Sequence, residues 1–406
     1  MTSTTQRLAT TRWASVFLLV SAGVVAALQV GKAVIAAPML QTDLGISLAD
    51  IGWLTGVFAV LGLIGGIPAG AFIASVGSQR VLLLGLLTTA LGAACGAVAT
   101  DLPTLLLSRI IEGAGFLLIT VAAPSILTQV SERGDRDFAF ALWSCFMPLG
   151  MAVAMLTGPL FESWRTVWWT SCGLALVVCL LVSLLIPSTA ERQAWSWHGL
   201  KAQAIDVCTT REPAMLAAMF ALYSLMFFAL FSFLPVLLMQ RMEVTHSSAG
   251  LLSALATVAN ILGNLAAGVL LSRGTARTTL LAGASLAMGI TSIGIFLPLF
   301  PDTTTFILCV IFSAVGGLIP ATLLSAAPTA MPLASLVPVV LGLIIQGNNL
   351  GQVIGPIAIG SAIQAYGWSS AAFLVAGAAL LAVAGAITLG RTPQPALQGV
   401  EETAQT

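Results

Sequence analysis

The chain has 406 residues, of which 58% are hydrophobic and 7% charged, against roughly 25% charged residues in a soluble domain. No water-soluble fold of this length could hide so much apolar side chain, so a soluble enzyme or binding module is excluded and a polytopic membrane protein is expected. The 15 basic and 15 acidic residues sum to zero, which leaves no electrostatic footprint for a nucleic-acid partner.

The polar start "MTSTTQRLATTRW" leads into about 25 apolar residues, too many for a signal-peptide core of roughly 7–15 and enough for a retained span. Cutting the rest at turn and charge signals, at about 20 apolar residues per crossing helix, predicts twelve spans. They cover 13–37, 48–73, 81–100, 103–129, 138–161, 166–187, 213–240, 248–272, 278–299, 303–329, 335–364 and 369–390. With the N-terminus inside, eleven of the fifteen basic residues fall in cytoplasmic loops. Only Arg165 and Arg241 fall outside, and Lys32 and Arg109 lie within spans. That asymmetry places both termini in the cytoplasm of a plasma (inner) membrane protein. Trp53, Trp164, Trp168, Trp169 and Trp368 then fall near the outer interface, where an aromatic belt is expected.

The six cysteines form no CxxC pair, and five of them lie inside apolar runs as small packers. His198 and His246 fall in predicted loops without ligand-spaced partners, so neither a metal nor another cofactor is expected. The longest polar segment, Ser188 to Glu212, separates six spans from six. The organisation expected is an N-terminal six-helix bundle at 1–187, a cytoplasmic linker at 188–212, a C-terminal bundle at 213–391 and a cytoplasmic tail at 392–406. A shift of 197 residues maps Pro38 to Pro235, Gly66 to Gly263, Gly77 to Gly274 and Arg80 to Arg277. It also maps Gly150 to Gly347, Gly158 to Gly355 and Pro159 to Pro356. Such a repeat of six spans re-enters with the same topology, the plan in which two halves rock around a central site.

Local motifs add to this pattern. "GAFIASVGSQR" (Gly70 to Arg80) follows span two, and "GVLLSRGTAR" (Gly268 to Arg277) is its weaker copy. Span four carries "RIIEGAG" (Arg109 to Gly115), span five "GMAVAMLTGP", and span eleven "GNNLGQVIGP". With the repeat and the linker, these resemble the major facilitator superfamily: its G-x-x-x-D-R-x-G-R-R/K gating loop, its R-x-x-x-G-x-G motif implicated in proton coupling, and its Gly-rich G-P motif of antiporters. The match in the gating loop is Gly70, Gly77 and Arg80, while Ala74 stands where the family usually has Asp. Arg80 therefore needs another partner, and Asp135 or Asp137 in the next cytoplasmic loop is the candidate. "QVGKAVIAAPMLQTDLGISLADIGWL" is also similar to bacterial members of the cyanate-transporter-like group. The resemblance implies an all-α fold of twelve transmembrane helices in two pseudo-symmetric halves.

Only three ionisable residues fall well inside spans: Lys32, Arg109 and Glu112. Each costs about 2.5–3.5 kcal/mol at mid-bilayer, so each should face a partner or a water-filled cavity. Lys32 lies six residues before Pro38 and Arg109 six after Pro103, each roughly 9 Å deep at 1.5 Å per residue. Glu112 lies one turn beyond Arg109 on the same helix face. Two readings follow. Lys32 and Arg109 bind an anionic substrate group, with Arg109 presenting its bidentate fork. Glu112, with Arg109, carries a coupled proton. The alternatives are a structural Arg109–Glu112 pair and a Lys32 that snorkels outward. The other half offers Tyr223, Gln346 and Asn349 as polar substrate contacts, with helix packing as the plain alternative.

A secondary active transporter is the class expected, moving a small, preferably anionic solute with protons. Proton-coupled efflux of drug-like or metabolite compounds is the alternative. No Walker-type phosphate loop and no catalytic constellation suggests an enzyme. A membrane receptor or scaffold would carry a longer soluble segment. The partners expected are a small-molecule substrate, protons and the lipid bilayer, with the chain acting as a monomer.

Overall fold

The computed structural model describes residues 10–132, 135, 139–140, 142–143, 145–186, 204–331 and 336–390. Those residues form α-helices and short 3-10 turns, with no strand among them. The linker is outside the described residues up to 203, and the expected tail lies outside them entirely.

The first predicted span is broken. Helix α1 (Trp13–Ile35) stops, and α2 (Ala37–Leu44) restarts with Pro38 in its first turn, where the missing N–H is not needed. Gly45, at φ 64°, ends α2 in the left-handed region. Ser47 then caps α3 (Leu48–Gly56) in a capping box with Asp50. A 3-10 turn (Val57–Ala59) interrupts the second span before α4 (Val60–Val76) resumes. Next come α5 (Ser78–Ala97), α6 (Leu102–Val130, capped by Asp101), α7 (Phe146–Thr157) and α8 (Trp164–Leu185).

The later helices repeat part of this order. They are α9 (Arg211–Phe231), α10 (Leu234–Met242), α11 (His246–Ser272), α12 (Arg277–Phe296), α13 (Asp302–Gly316), α14 (Leu318–Ala326), α15 (Val337–Tyr366) and α16 (Ser369–Gly390). Helix α11 runs unbroken where the second span has its 3-10 turn, and the counterpart of α6 is divided at Gly317. Pro235 restarts α10 as Pro38 restarts α2. Gly77 and Gly274, 197 positions apart, have φ of 99° and 86° and turn the chain into α5 and α12. The Gly-Pro pairs of the repeat behave differently. Pro159 ends its helix in a 3-10 turn, whereas Pro356 lies inside the 30-residue helix α15, which continues past it to Tyr366. After Pro159 come Glu162 and the cap Ser163, while Pro356 is followed by further apolar helix formers.

Ten of the helical stretches among the described residues are long and apolar enough to cross a membrane, and Phe146–Leu160 is a shorter apolar one. Leu84, Leu87 and Leu91 of α5 and Leu286, Ile290 and Ile293 of α12 are exposed along outward stripes. In water such stripes would be a liability; against lipid tails they are the expected surface.

Packing repeats as well. Helix α1 packs on α6, α7 and α8, and α5 packs on α6 and α8; likewise α9 packs on α14, α15 and α16, and α12 on α13 and α16. The two sets meet where α3 and α4 lie on α15, and where α7 lies on α11. The G-x-x-x-G-x-x-x-G stretch of α15 explains one tight seam: a side chain at Gly347, Gly351 or Gly355 would run into the α9 carbonyls of Ala217, Ala221 and Leu225. In lipid, where apolar surface alone gives no driving force, such close backbone approach supplies the packing.

Candidate functional site

Helices α1 and α6 bring the three intramembrane ionisable residues together. Lys32 Nζ donates to Glu112 Oε1 at 2.5 Å, and Arg109 Nη1 donates to Glu112 Oε2. All three side chains are 0% exposed. Arg109 and Glu112 meet because three positions on a helix share a face. Lys32 joins them across 80 positions of sequence, because its face of α1 packs on α6. Lys32 is directed inward; it does not snorkel.

The surroundings fix each cation. Arg109 Nε donates to the Leu54 carbonyl at 3.2 Å, just before the 3-10 turn of the second span, and the guanidinium lies 4.5 Å over the Phe58 ring of that turn. Lys32 Nζ lies 4.6 Å over the Trp168 ring of α8. One guanidinium nitrogen, Arg109 Nη2, is buried with no hydrogen-bond partner among the described residues. One turn before Lys32, the buried Gln29 donates to Val25 O at 2.9 Å and accepts from Ser171 of α8 at 2.8 Å. The cluster carries two positive charges and one negative, enclosed by α1, α3, α6 and α8.

Sequence reasoning missed Gln29, Phe58, Trp168 and Ser171. Gln29 was detectable, since an amide inside an apolar run needs a partner as a charge does. Trp168 was misassigned to the lipid interface with Trp164. Both are buried, because residues four apart share the face of α8 that packs on α1 and α5. Trp53 and Trp169, at 48% and 50% exposure, do reach the surface.

The expected residues of the other half lie elsewhere in the bundle. Tyr223 is buried between Phe220 and Phe227, ring centroids 5.9 Å away on each side, and its hydroxyl accepts from Asn260 Nδ2 at 3.3 Å. Asn260 also donates to Ser313 O at 3.1 Å, which ties α9, α11 and α13 together. Asn349 Nδ2 donates back to Ile345 O at 3.0 Å, and the Asn349 side chain closes over Gly62. Gln346 packs over Gly66 in the same α4–α15 contact. No hydrogen bond or ion pair among the described residues joins Tyr223, Gln346 or Asn349 to the charged cluster.

The gating expectations need one correction. Gly70 lies in α4, and Arg80 is exposed in the first turn of α5. Asp135 does not pair with Arg80: its carboxylate accepts from Thr11 Oγ1 at 2.6 Å, which also accepts from Glu132 N, so the loop is tied to the chain start instead. Asp137 is outside the described residues. Arg277 donates to Thr329 Oγ1 at 3.1 Å and Ser325 O at 3.2 Å at the end of the α14 segment. His246 opens α11 rather than lying in a loop, and its Nε2 is 2.8 Å from Ile35 O of α1.

At the end of the bundle that carries α2, Asp43 accepts from Trp164 Nε1 at 2.8 Å and Arg165 Nη1 at 2.6 Å. These two donors, the indole first, hold its carboxyl below the usual carboxylate range. Gln240, 197 positions on, accepts from Trp368 Nε1 at 3.1 Å, so each set of helices has an indole latch at the same place.

Comparison with known proteins agrees with this architecture. The model of the Major Facilitator Superfamily matches residues 19–337. The puromycin resistance protein pur8 of Streptomyces alboniger is 31% identical over 182 residues, 43% of this chain and 35% of that one. The 3-(3-hydroxy-phenyl)propionate transporter of Escherichia coli is 26% identical over 233 residues, 54% and 56% of the two chains. The chloramphenicol resistance protein of Streptomyces lividans is 30% identical over 270 residues, 62% and 65%. The matches thus span about a third to two thirds of these relatives' lengths. Among solved structures, an inward-facing, occupied bacterial homologue of the human lysosomal transporter Spinster aligns with a TM-score of 0.74 at 19% identity, covering 94% of this chain and 97% of that one. The nucleoside transporter NupG aligns at 0.76 and 14% identity, covering 92% and 99%. At these identities the likeness speaks for the fold.

Proposed function

Because the chain belongs to the major facilitator superfamily, we propose that it is a proton-coupled secondary transporter of a small anionic solute, working by alternating access. The single observation behind the anion is the buried cluster: two basic groups share one carboxylate, and Arg109 Nη2 still lacks an acceptor among the described residues. A substrate carboxylate or similar oxyanion would supply that acceptor and cancel the excess charge. Glu112 holds the two basic side chains in place between loadings. Twelve spans in bundles 1–187 and 213–391, joined by the linker at 188–212, fit the repeated helix packing. Basic residues concentrated on one side favour a plasma (inner) membrane protein with both termini in the cytoplasm. In that orientation Gly52 and Gly56 against α15, and Gly250 against α7, close the outer end. Aromatic-acid transport by the Escherichia coli relative is compatible with this reading.

Efflux of drug-like compounds is the second reading, favoured by the resistance proteins among the relatives and by the aromatic row Phe220, Tyr223, Phe227 and Phe231 on α9. A thermal-shift screen of the purified protein against organic anions and lipophilic cations, at two pH values, separates the two. Stabilisation by anions that disappears in Lys32→Ala supports the anion site. Stabilisation by lipophilic cations alone refutes it.

A further inference from the structure

The charge count of the buried cluster bears on which group carries the proton. With Lys32, Arg109 and Glu112 all ionised, the site holds +2 − 1 = +1 at zero exposure. The elements packed on α1 do not correct this. Helix α7 has no ionisable residue, and the one acid of α3, Asp50, caps Ser47. Helix α8 brings Cys172 near Lys32, while its Arg165 is held by Asp43 of α2. Helix α5 has Arg80, exposed, and Cys95; Arg241 of α10 is bonded to the carbonyls of Ile295, Leu297 and Phe300. A lone positive charge in a dry site is far costlier than a neutral set.

Only one of the three groups can shed that charge and keep its hydrogen bonds. The guanidinium of Arg109 does not deprotonate in proteins. Each Glu112 oxygen accepts from an N–H donor, so a proton on either oxygen would set donor against donor. A neutral Lys32 amine still has N–H bonds to donate to Glu112 Oε1.

Building on the anion reading above, we propose that Lys32 is the proton-carrying group, and that it takes up one proton together with one monovalent anion. In the empty carrier Lys32 is a neutral amine beside the Arg109–Glu112 pair, and the sum is zero. On loading, the Nζ lone pair takes a proton from the water to which the site is then open, R–NH2 + H+ → R–NH3+. The anion binds at the free Arg109 Nη2, and the sum +2 − 2 is again zero. Both states that reorient are neutral, so one proton and one anion move in the same direction without net charge. The proton carrier moves from Glu112, expected on sequence grounds, to Lys32.

The test uses the full-length protein in detergent near pH 8, weakly buffered, with a pH-indicator dye. The probe anions are 3-(3-hydroxyphenyl)propionate, benzoate and cyanate, with binding measured in parallel by calorimetry. About one proton should be taken up per anion bound. Lys32→Arg, which cannot release its charge, should bind the anion and take up none, and Glu112→Gln should not abolish uptake. Uptake that persists in Lys32→Arg, or is lost only in Glu112→Gln, overturns the proposal. A second arm needs no anion. Lys32 Nζ lies against the Trp168 ring, so the tryptophan emission of the empty protein should titrate with pH, and this transition should vanish in both Lys32→Arg and Trp168→Phe. Absence of the transition in the wild type also overturns the proposal. Failure of all three anions to bind, with the transition present, removes the anion reading and leaves the lysine titration standing.

Discussion

Glu112 and Lys32 are partners in one ion pair, yet their removal should have very different consequences. In Glu112→Gln the amide is nearly isosteric, but Arg109 loses its one charged partner among the described residues and the Lys32–Glu112 bond at 2.5 Å loses its carboxylate acceptor. Leaving a buried charge uncompensated costs about 3–5 kcal/mol. In Lys32→Met the volume is nearly kept and the Arg109–Glu112 pair remains, a neutral set. A volume-conserving swap of this kind costs less than about 1.5 kcal/mol. The double variant should recover about 1–3 kcal/mol of the Glu112→Gln loss, as coupled residues in contact do. The assay is reversible unfolding in mixed micelles, with all four proteins compared in one cycle. Lys32→Met costing as much as Glu112→Gln would refute the reasoning, because Arg109 would then not be the charge that Glu112 compensates.

The latch at Asp43 sets a pH dependence. Its folded carboxyl sits below the ordinary range, chiefly through the Trp164 indole and then Arg165, so the contribution is present above the unfolded value of about 3.9 and is lost as pH falls through and below it. Asp43→Asn should flatten the acid side of the melting-temperature profile while leaving the neutral-to-alkaline side parallel to wild type. The α9–α15 seam can be probed by contrast. Gly351→Val, whose new side chain would meet Ala221 O and crowd Ser224 Cβ, should cost about 1–3 kcal/mol, whereas Gly283→Ala, with nothing within 4 Å, should stay within about 0.5 kcal/mol. Equal melting shifts for the two would mean that backbone contact does not hold that seam.

Much of this architecture was legible in the chain. Apolar runs of span length, the 197-residue offset and the paired glycines at 77 and 274 anticipate helices whose turns and packing recur. Breaks inside spans were less visible. Pro38 and Pro235 restart helices, while Pro356 does not stop one, because the outcome depends on whether the residues after the proline can continue the helix and on what packs there. The site shows the same division. Lys32, Arg109 and Glu112 stand out because ionisable groups are rare and costly in lipid. Tyr223, Gln346 and Asn349 were chosen by the same polarity argument, and packing drew them into local hydrogen bonds with Asn260, Ile345 and the α4–α15 contact.

By itself the sequence determined that the protein lives in a membrane, that its helices repeat, and that three ionisable side chains must find partners there, since burial of charge is decided by composition and span length. Only the tertiary structure decided the pairing. One carboxylate serves two cations because α1 and α6 lie side by side. The Trp168 indole lies against Lys32 rather than lipid because its face of α8 turns inward. Arg109 keeps its Nη2 group without a partner among the described residues because Leu54 takes the Nε–H and Glu112 is reached by Nη1. These are contacts between helices far apart in the chain, and nothing local in the chain encodes their distances.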